Sequence, residues 1–265
     1  NPNTPGVILT PRPKRRYSYG ATACHIIGYV NDPDPGRFIE RDGIKFAPDL
    51  VGRDGIEASY DSELQGGPGF RELEVNRAGR VTRVLNARYP TLGNTIHLTI
   101  DLRVQQIVEK IMAPVGRGAA CVVDCNTGEI LALVSVPNFD PNTILSKPVW
   151  ADVQRNETRP LVNRCLSAYS PGSIFKPVVA LAALQAGAIT PTDTAVCHGG
   201  LTVQDRYKKC TAFKYGGHGS MNLIQSLKKS CNVYYYQYGM KCGIKPLAEM
   251  AGRLGLARRT GIPLA

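Results

Sequence analysis

The sequence has 265 residues, enough for two domains, and at 43% hydrophobic and 20% charged it has the composition of a globular chain, which excludes a disordered one. Its 32 Lys and Arg against 21 Asp and Glu give a net charge of +11. The basic residues are scattered except for PRPKRRY at 11–17, and no aromatic-interleaved basic stripe is present, so an anionic membrane surface or cell wall suits the charge better than nucleic acid.

Residues 1–94 are rich in Gly, Pro, Arg and Asp. Their apolar runs are short: HIIGYV (25–30), ELEV (72–75) and VTRVLN (81–86). These predict strands and turns with few long helices. YDSELQGGPG (60–69) predicts a short helix stopped at a Gly-Gly-Pro-Gly turn. The character then changes. TIHLTI (95–100) alternates apolar and polar and predicts a strand. Asp101 is placed to cap a helix whose Leu102, Val104, Ile107, Val108 and Ile111 fall near helical spacing. GAACVVDCNTGEILALVSVP (118–137) predicts a hairpin around Asn126, Thr127 and Gly128. Helices are expected over 179–187, with Gly187 at the C-cap, in stretches of 221–243, and over 244–256. Two or three strands with one face to bury make a poor sheet, so the second domain is expected to be incomplete or to receive strands from elsewhere.

SPGSIFKP (170–177) stands at the head of an apolar helix. Residues three apart on a helix share a face, so the Ser173 hydroxyl and the Lys176 amine are expected to meet. Pro177 lies close enough to the helix start to be tolerated. An alcohol becomes a good nucleophile once a base takes its proton, and a lysine is that base when burial keeps it neutral. Ile174, Phe175 and the helix that follows are expected to supply the burial. Alone, Ser-x-x-Lys is a common chance match, and a helix start containing a lysine is the plain alternative.

Downstream, KKSCNVYYYQYG contains Ser230, Cys231 and Asn232. Ser-x-x-Lys with a later Ser-x-Asn is the signature of penicillin-binding proteins and class A β-lactamases. The chain resembles a class B penicillin-binding protein, most like the elongation-specific type. RRYSYGATACHIIGYV, GRDGIEASYDSELQGGPGFRELEVNRAGRV, LTIDLRVQQ, DCNTGEILALVSVPNFDPN and GHGSMNLIQSLKKS match the family in order and spacing.

The resemblance implies an α+β fold. A β-rich N-terminal pedestal of the dimerisation type (1–94) would precede the N-terminal part of a transpeptidase domain (95–265), with helices packed on an antiparallel sheet. It implies a peptidoglycan D,D-transpeptidase. Ser173 would attack the D-Ala–D-Ala carbonyl of a stem peptide, with Lys176 as base, Ser230 relaying a proton and Asn232 binding Lys176 and the substrate amide. The Ser173 N–H would give half of an oxyanion hole. β-Lactams would acylate the same serine. Implied partners are stem peptides, β-lactams, a shape-determination glycosyltransferase and the elongation complex, with no nucleic acid. The implied location is the bacterial inner membrane, by a single N-terminal anchor, with the catalytic domain in the periplasm. The sequence contains no apolar stretch long enough to span a bilayer and no signal peptide. It also lacks a Lys-Thr-Gly motif at the expected distance; RRTG (258–261) follows Ser230 too closely. The expectation is a piece of a longer enzyme, inactive alone.

Between the two motifs lie Cys197, Cys210, His218 and Cys231. Three thiolates and an imidazole form a normal closed tetrahedral zinc set. Some relatives carry a metal here with mixed Asp, His and Cys ligands, and cysteines in place of carboxylates favour zinc over harder ions. Zn2+ is therefore the expected structural cofactor, with no organic one, and it would fix Ser230 and Asn232. The alternative is a Cys197–Cys210 disulfide with His218 an ordinary loop residue, or His198 as the ligand. Cys24, Cys165 and Cys242 are expected in the core, Cys121 and Cys125 on the hairpin, His25 as a structural hydrogen-bonding residue and Asp124 in turn chemistry. A β-lactam sensor domain or a β-lactamase using the same serine and lysine is the rival function; the sensor has no need of residues 1–94, and no clear water-activating group for a β-lactamase is visible.

Overall fold

The computed structural model describes residues 14–41, 43–144 and 146–264. Residues 11–13 of the basic cluster lie outside the described residues. Contacts divide the chain into two compact units, residues 1–167 with 263–265, and residues 168–262.

The first unit opens with helix α1 (Cys24–Ile27) and strand β1 (Val30–Asn31), then β2 (Ile39–Arg41), β3 (Ile44–Phe46), β4 (Val51–Gly52), α2 (Gly55–Ser59) and α3 (Asp61–Leu64). It continues through β5 (Phe70–Val75), β6 (Val81–Arg88), α4 (Leu102–Met112), β7 (Gly118–Val123), β8 (Ile130–Val136) and α5 (Lys147–Arg155). The strands pair antiparallel as β1–β4, β2–β3, β5–β6 and β7–β8. Among the described residues every sheet has two strands.

Two expectations are corrected here. HIIGYV is one helical turn followed by a short strand. Gly28, at φ 79°, donates its N–H to Cys24 O and closes the turn, and a Cβ there would lie 1.8 Å from Asp54 O. Apolar content suited a strand, but the left-handed glycine ends the run. TIHLTI forms no strand. It runs past β8 with only Thr99 Oγ1 donating to Ile130 O and Asp101 N to Leu131 O, while Ile96 and Ile100 pack on a core cluster.

Other local expectations hold. The predicted strands form β5 and β6, and α2 and α3 end before the glycine-rich turn. The Asp101 carboxylate accepts from Arg103 N and Val104 N and caps α4. At the tip of the β7–β8 hairpin, Asp124 accepts from Asn126 N at 2.7 Å. His25 is buried and bonds Pro160 O through Nε2 at 2.7 Å. Burial lowers its pKa, which keeps it neutral. Cys24 is fully buried, and Cys165 is half-buried against the core.

The second unit begins at a 3-10 turn (Gly172–Phe175) that runs into α6 (Lys176–Gln185). Then follow β9 (Ala195–Cys197), β10 (Gly200–Val203), β11 (Arg206–Lys209), β12 (Gly219–Met221), α7 (Leu223–Lys228), α8 (Asn232–Cys242) and α9 (Ile244–Arg253). Strands β10 and β11 form a hairpin, and β9 pairs with β12. Gly187, at φ 66°, closes α6. The main core gathers Ala180, Ala183, Ile189, Met221, Val233 and Tyr234 around Cys197, Cys210 and Cys231. A smaller cluster joins Val178 and Ala182 of α6 to Met250 of α9. Among the described residues no helix is long and apolar enough to cross a membrane.

Candidate active site and metal-ligand cluster

The Pro171-Gly172 bend and the 3-10 turn after it place Ser173 three residues before the start of α6. A 3-10 turn has three residues per turn, so positions i and i+3 eclipse and Ser173 stands over Lys176. Ser173 is exposed, whereas Lys176 is buried. Ile174 is 79% exposed and supplies none of the burial, contrary to expectation. The Tyr235 ring, whose centre lies 5.6 Å from Lys176 Nζ, stands beside it, while the half-buried Phe175 packs on the Val178, Ala182 and Met250 cluster.

The lysine is fully engaged. Its Nζ donates to Ser230 O at 2.6 Å, Ser230 Oγ at 2.9 Å and Asn232 Oδ1 at 2.7 Å. Ser230 Oγ in turn donates to Ser173 Oγ at 3.1 Å. The four candidate residues therefore form one connected group, with Ser230 joining the nucleophile to the amine. Ser230 has φ 52°, in the left-handed region, at the break between α7 and α8. Cys231 N bonds Ser226 O and Ser230 N bonds Leu227 O, which holds this bend. Burial lowers the Lys176 pKa, opposed by the charges of Cys210 and Cys231. A partly desolvated amine linked through one hydroxyl to an exposed serine can accept that serine's proton. The Ser173 N–H lies in the first turn of its helix, where amides lack an intrahelical acceptor and can meet an oxyanion.

Behind this group, the donor atoms of Cys197, Cys210, His218 and Cys231 lie within 4.8 Å of one another. Nδ1 of His218 is 3.8 Å from Cys197 Sγ and 3.5 Å from Cys210 Sγ, and Cys210 Sγ is 4.0 Å from Cys231 Sγ. Thiolates about 2.3 Å from a tetrahedral ion sit about 3.8 Å apart, so these edges match such a site. The three cysteines are buried and free, and His218 is half-buried. His198 is exposed and outside the cluster, because alternation along β9 turns Cys197 inward and its neighbour out.

Desolvation pushes the Cys210 thiol up, but N–H groups of Ala212, Asn232 and Val233 and the Thr211 hydroxyl outweigh it and hold the pKa at about 6. Burial drives Cys231 up to about 12, helped by the neighbouring sulfurs. Asn232 N donates to Cys210 Sγ at 3.3 Å, and Asn232 Nδ2 to Lys209 O at 3.2 Å. The cluster and the serine group thus share the 230–232 segment. Sequence reasoning missed Lys209 and Tyr235 at this site; the YYY run signalled packing only. The segment 258–261 is exposed and irregular.

Comparisons with known proteins find relatives along most of the chain. The family described as Penicillin binding protein transpeptidase domain matches residues 118–265, and Penicillin-binding Protein dimerisation domain matches residues 1–98. Peptidoglycan D,D-transpeptidase MrdA of Escherichia coli is 39% identical over 271 residues, covering 98% of this chain. The chain spans 42% of that relative's length. The complex of PBP2 with MreC from Helicobacter pylori superposes with a TM-score of 0.79 at 30% identity, covering 98% of this chain and 49% of that one. PBP2 of Pseudomonas aeruginosa in complex with WCK 5153 gives 0.72 at 32% identity, covering 93% and 52%.

Proposed function

The chain belongs to the penicillin-binding protein transpeptidase family, and from that premise we propose that it carries the acylating half of a peptidoglycan D,D-transpeptidase. The observation that carries this reading is the unbroken hydrogen-bond path from Ser173 through Ser230 to the buried Lys176, with Asn232 closing the group. Ser173 Oγ attacks the penultimate D-Ala carbonyl of a stem peptide, and its proton passes through Ser230 to Lys176. The tetrahedral intermediate collapses to an ester on Ser173, and the terminal D-Ala leaves as its amine collects that proton. An amine of a second stem peptide then takes the acyl group and restores the serine. Asn232 orients Lys176 and the donor amide. β-Lactams enter by the same attack. The match of residues 1–98 to a dimerisation domain favours the transpeptidase over a sensor or a β-lactamase.

The cysteine cluster fits Zn2+ by its donor chemistry and by donor atoms that lie within 4.8 Å of one another, three pairs of them at 3.5–4.0 Å. Cys197, Cys210, His218 and Cys231 would hold the ion as a closed structural site, which supplies rigidity. A periplasmic position, a membrane anchor in the whole protein and partners in the elongation machinery are part of this proposal, supported by the likeness to MrdA and to the PBP2 solved with MreC.

The test is acylation of the full-length protein by a labelled penicillin. Label is expected on Ser173, and Ser173→Ala is expected to abolish it. Label that persists at another residue overturns the assignment.

A further inference from the structure

The positive charge is concentrated in one unit. Residues 168–262 hold 12 Lys and Arg against 3 Asp and Glu, a surplus of 9 in a chain whose total is +11. The ion pairs Arg15–Glu57, Arg37–Asp61 and Arg53–Asp34 lie in the first unit. Apart from the buried Lys176, the second unit thus presents its lysines to solvent with few carboxylates to offset them, and self-repulsion of this kind costs stability unless an anion is met.

Two of these lysines adjoin the reactive group, one through a backbone hydrogen bond and one in sequence. Lys209 ends β11, and its carbonyl accepts from Asn232 Nδ2, so it is one hydrogen bond from the residue that orients Lys176. Its ammonium stands 4.6 Å from the centre of the Phe213 ring, which Tyr207 meets edge-on at 6.0 Å. An aromatic face steadies a long side chain while its N–H donors stay in water. Lys229 immediately precedes Ser230 and is exposed, and its N–H is tied to Gln225 O at the end of α7. The relay uses the buried Lys176; these two lie outside it.

We propose that Lys209 and Lys229 form a cationic rim that draws a carboxylate-bearing peptide, the acyl donor, to Ser173. The proposal rests on the acyl-transfer reading and names the charge of the donor that reading requires. The rim acts on encounter and on orientation, and changes no bond. Its effect therefore belongs in the second-order rate and in salt dependence, since exposed charges are screened beyond about 8 Å at physiological ionic strength.

The test uses full-length protein and the Lys209→Gln/Lys229→Gln double variant. Acylation of the wild type by an anionic penicillin is expected to slow several-fold as salt rises from about 20 to about 300 mM. The double variant is expected to be about three- to tenfold slower at low salt, with a flatter salt dependence. The penicillin methyl ester is expected to acylate both proteins equally. Equal rates and equal salt slopes with the anionic penicillin overturn the rim. Equilibrium binding to Ser173→Ala, with a labelled D-Ala–D-Ala pentapeptide as free acid and as its amidated form, reads the rim with acylation removed. A preference for the acid that disappears when both lysines are also changed supports it; no preference overturns it. A wild type that is not acylated at Ser173 but keeps this lysine-dependent preference rejects the transpeptidase reading and retains the rim.

Discussion

Ser230 occupies a left-handed backbone conformation, which costs a non-glycine residue about 1–2 kcal/mol. The return on that strain is a hydroxyl placed between Ser173 and Lys176 and a carbonyl that accepts from the same amine. Three acceptors around Nζ stabilise the ammonium, and burial opposes it, leaving the Lys176 pKa below its ordinary value. A base must be unprotonated to act, so the acylation rate is expected to rise with pH and to level off below about 10.4, the ordinary lysine value. Lys176→Arg, which stays charged throughout, is expected to lower the rate by about a hundredfold or more at every pH. A rate independent of pH, or an active arginine variant, removes Lys176 as the base. The spacing of Ser173 and Lys176 was legible because a period near three puts both on one face. The exposed Ile174 was not, because an apolar type alone does not tell which way a 3-10 turn points it.

Among the elements, the hairpin β7–β8 shows how a two-stranded ribbon is completed without a third strand. Gln105 of α4 is fully buried; its Nε2 donates to Leu133 O at 3.1 Å, and its Oε1 accepts from Leu133 N at 2.9 Å. The side-chain amide thus takes the place of a neighbouring strand at the open edge of β8. Its Nε2 also donates to Glu109, which accepts from Ala23 N and so ties α4 to α1. Gln105→Leu keeps the volume but leaves both Leu133 groups unpaired in the core, with an expected loss of about 2–4 kcal/mol. Urea unfolding measures it, and a loss under about 0.5 kcal/mol means that water or a strand shift satisfies the edge. Helices and hairpins were legible here because caps and turns are local: Asp101, Asp124 and Gly128 mark their own boundaries. The segment 95–100 was misread because alternation describes a half-buried extended run, whether or not a ladder partner is present. Gln105 was invisible for the converse reason: a polar residue on an apolar helix face reveals its partners only in the fold.

At the scale of the molecule, most of the surplus charge and all four cluster donors fall in the same unit, which also holds Ser173, Lys176, Ser230 and Asn232. The contacts divide the chain between residues 167 and 168, away from the change in composition near residue 94, whereas the ordered family segments conveyed the family. What no pattern conveyed was that Cys197, Cys210 and Cys231 lie in the middle of the second unit's main core. Three sulfurs at the junction of β9, the end of β11 and the start of α8 would let a bound zinc ion tie these elements where apolar packing alone otherwise holds them. Zinc bound at a hundred times its Kd contributes about 2.7 kcal/mol. Purified wild type is expected to hold about one zinc per chain, and a strong chelator is expected to lower its Tm by about 5 °C or more. Cys210→Ser is expected to hold less zinc, to melt lower and to be insensitive to the chelator. A Cys197–Cys210 disulfide gives the opposite set: no zinc, no response to chelator, and a Tm that falls on reduction. Since Cys210 also receives the Asn232 amide, zinc loss is expected to slow penicillin acylation at temperatures where the unit is still folded. An acylation rate unchanged by complete zinc removal separates the metal from the 230–232 segment and leaves it a purely local brace.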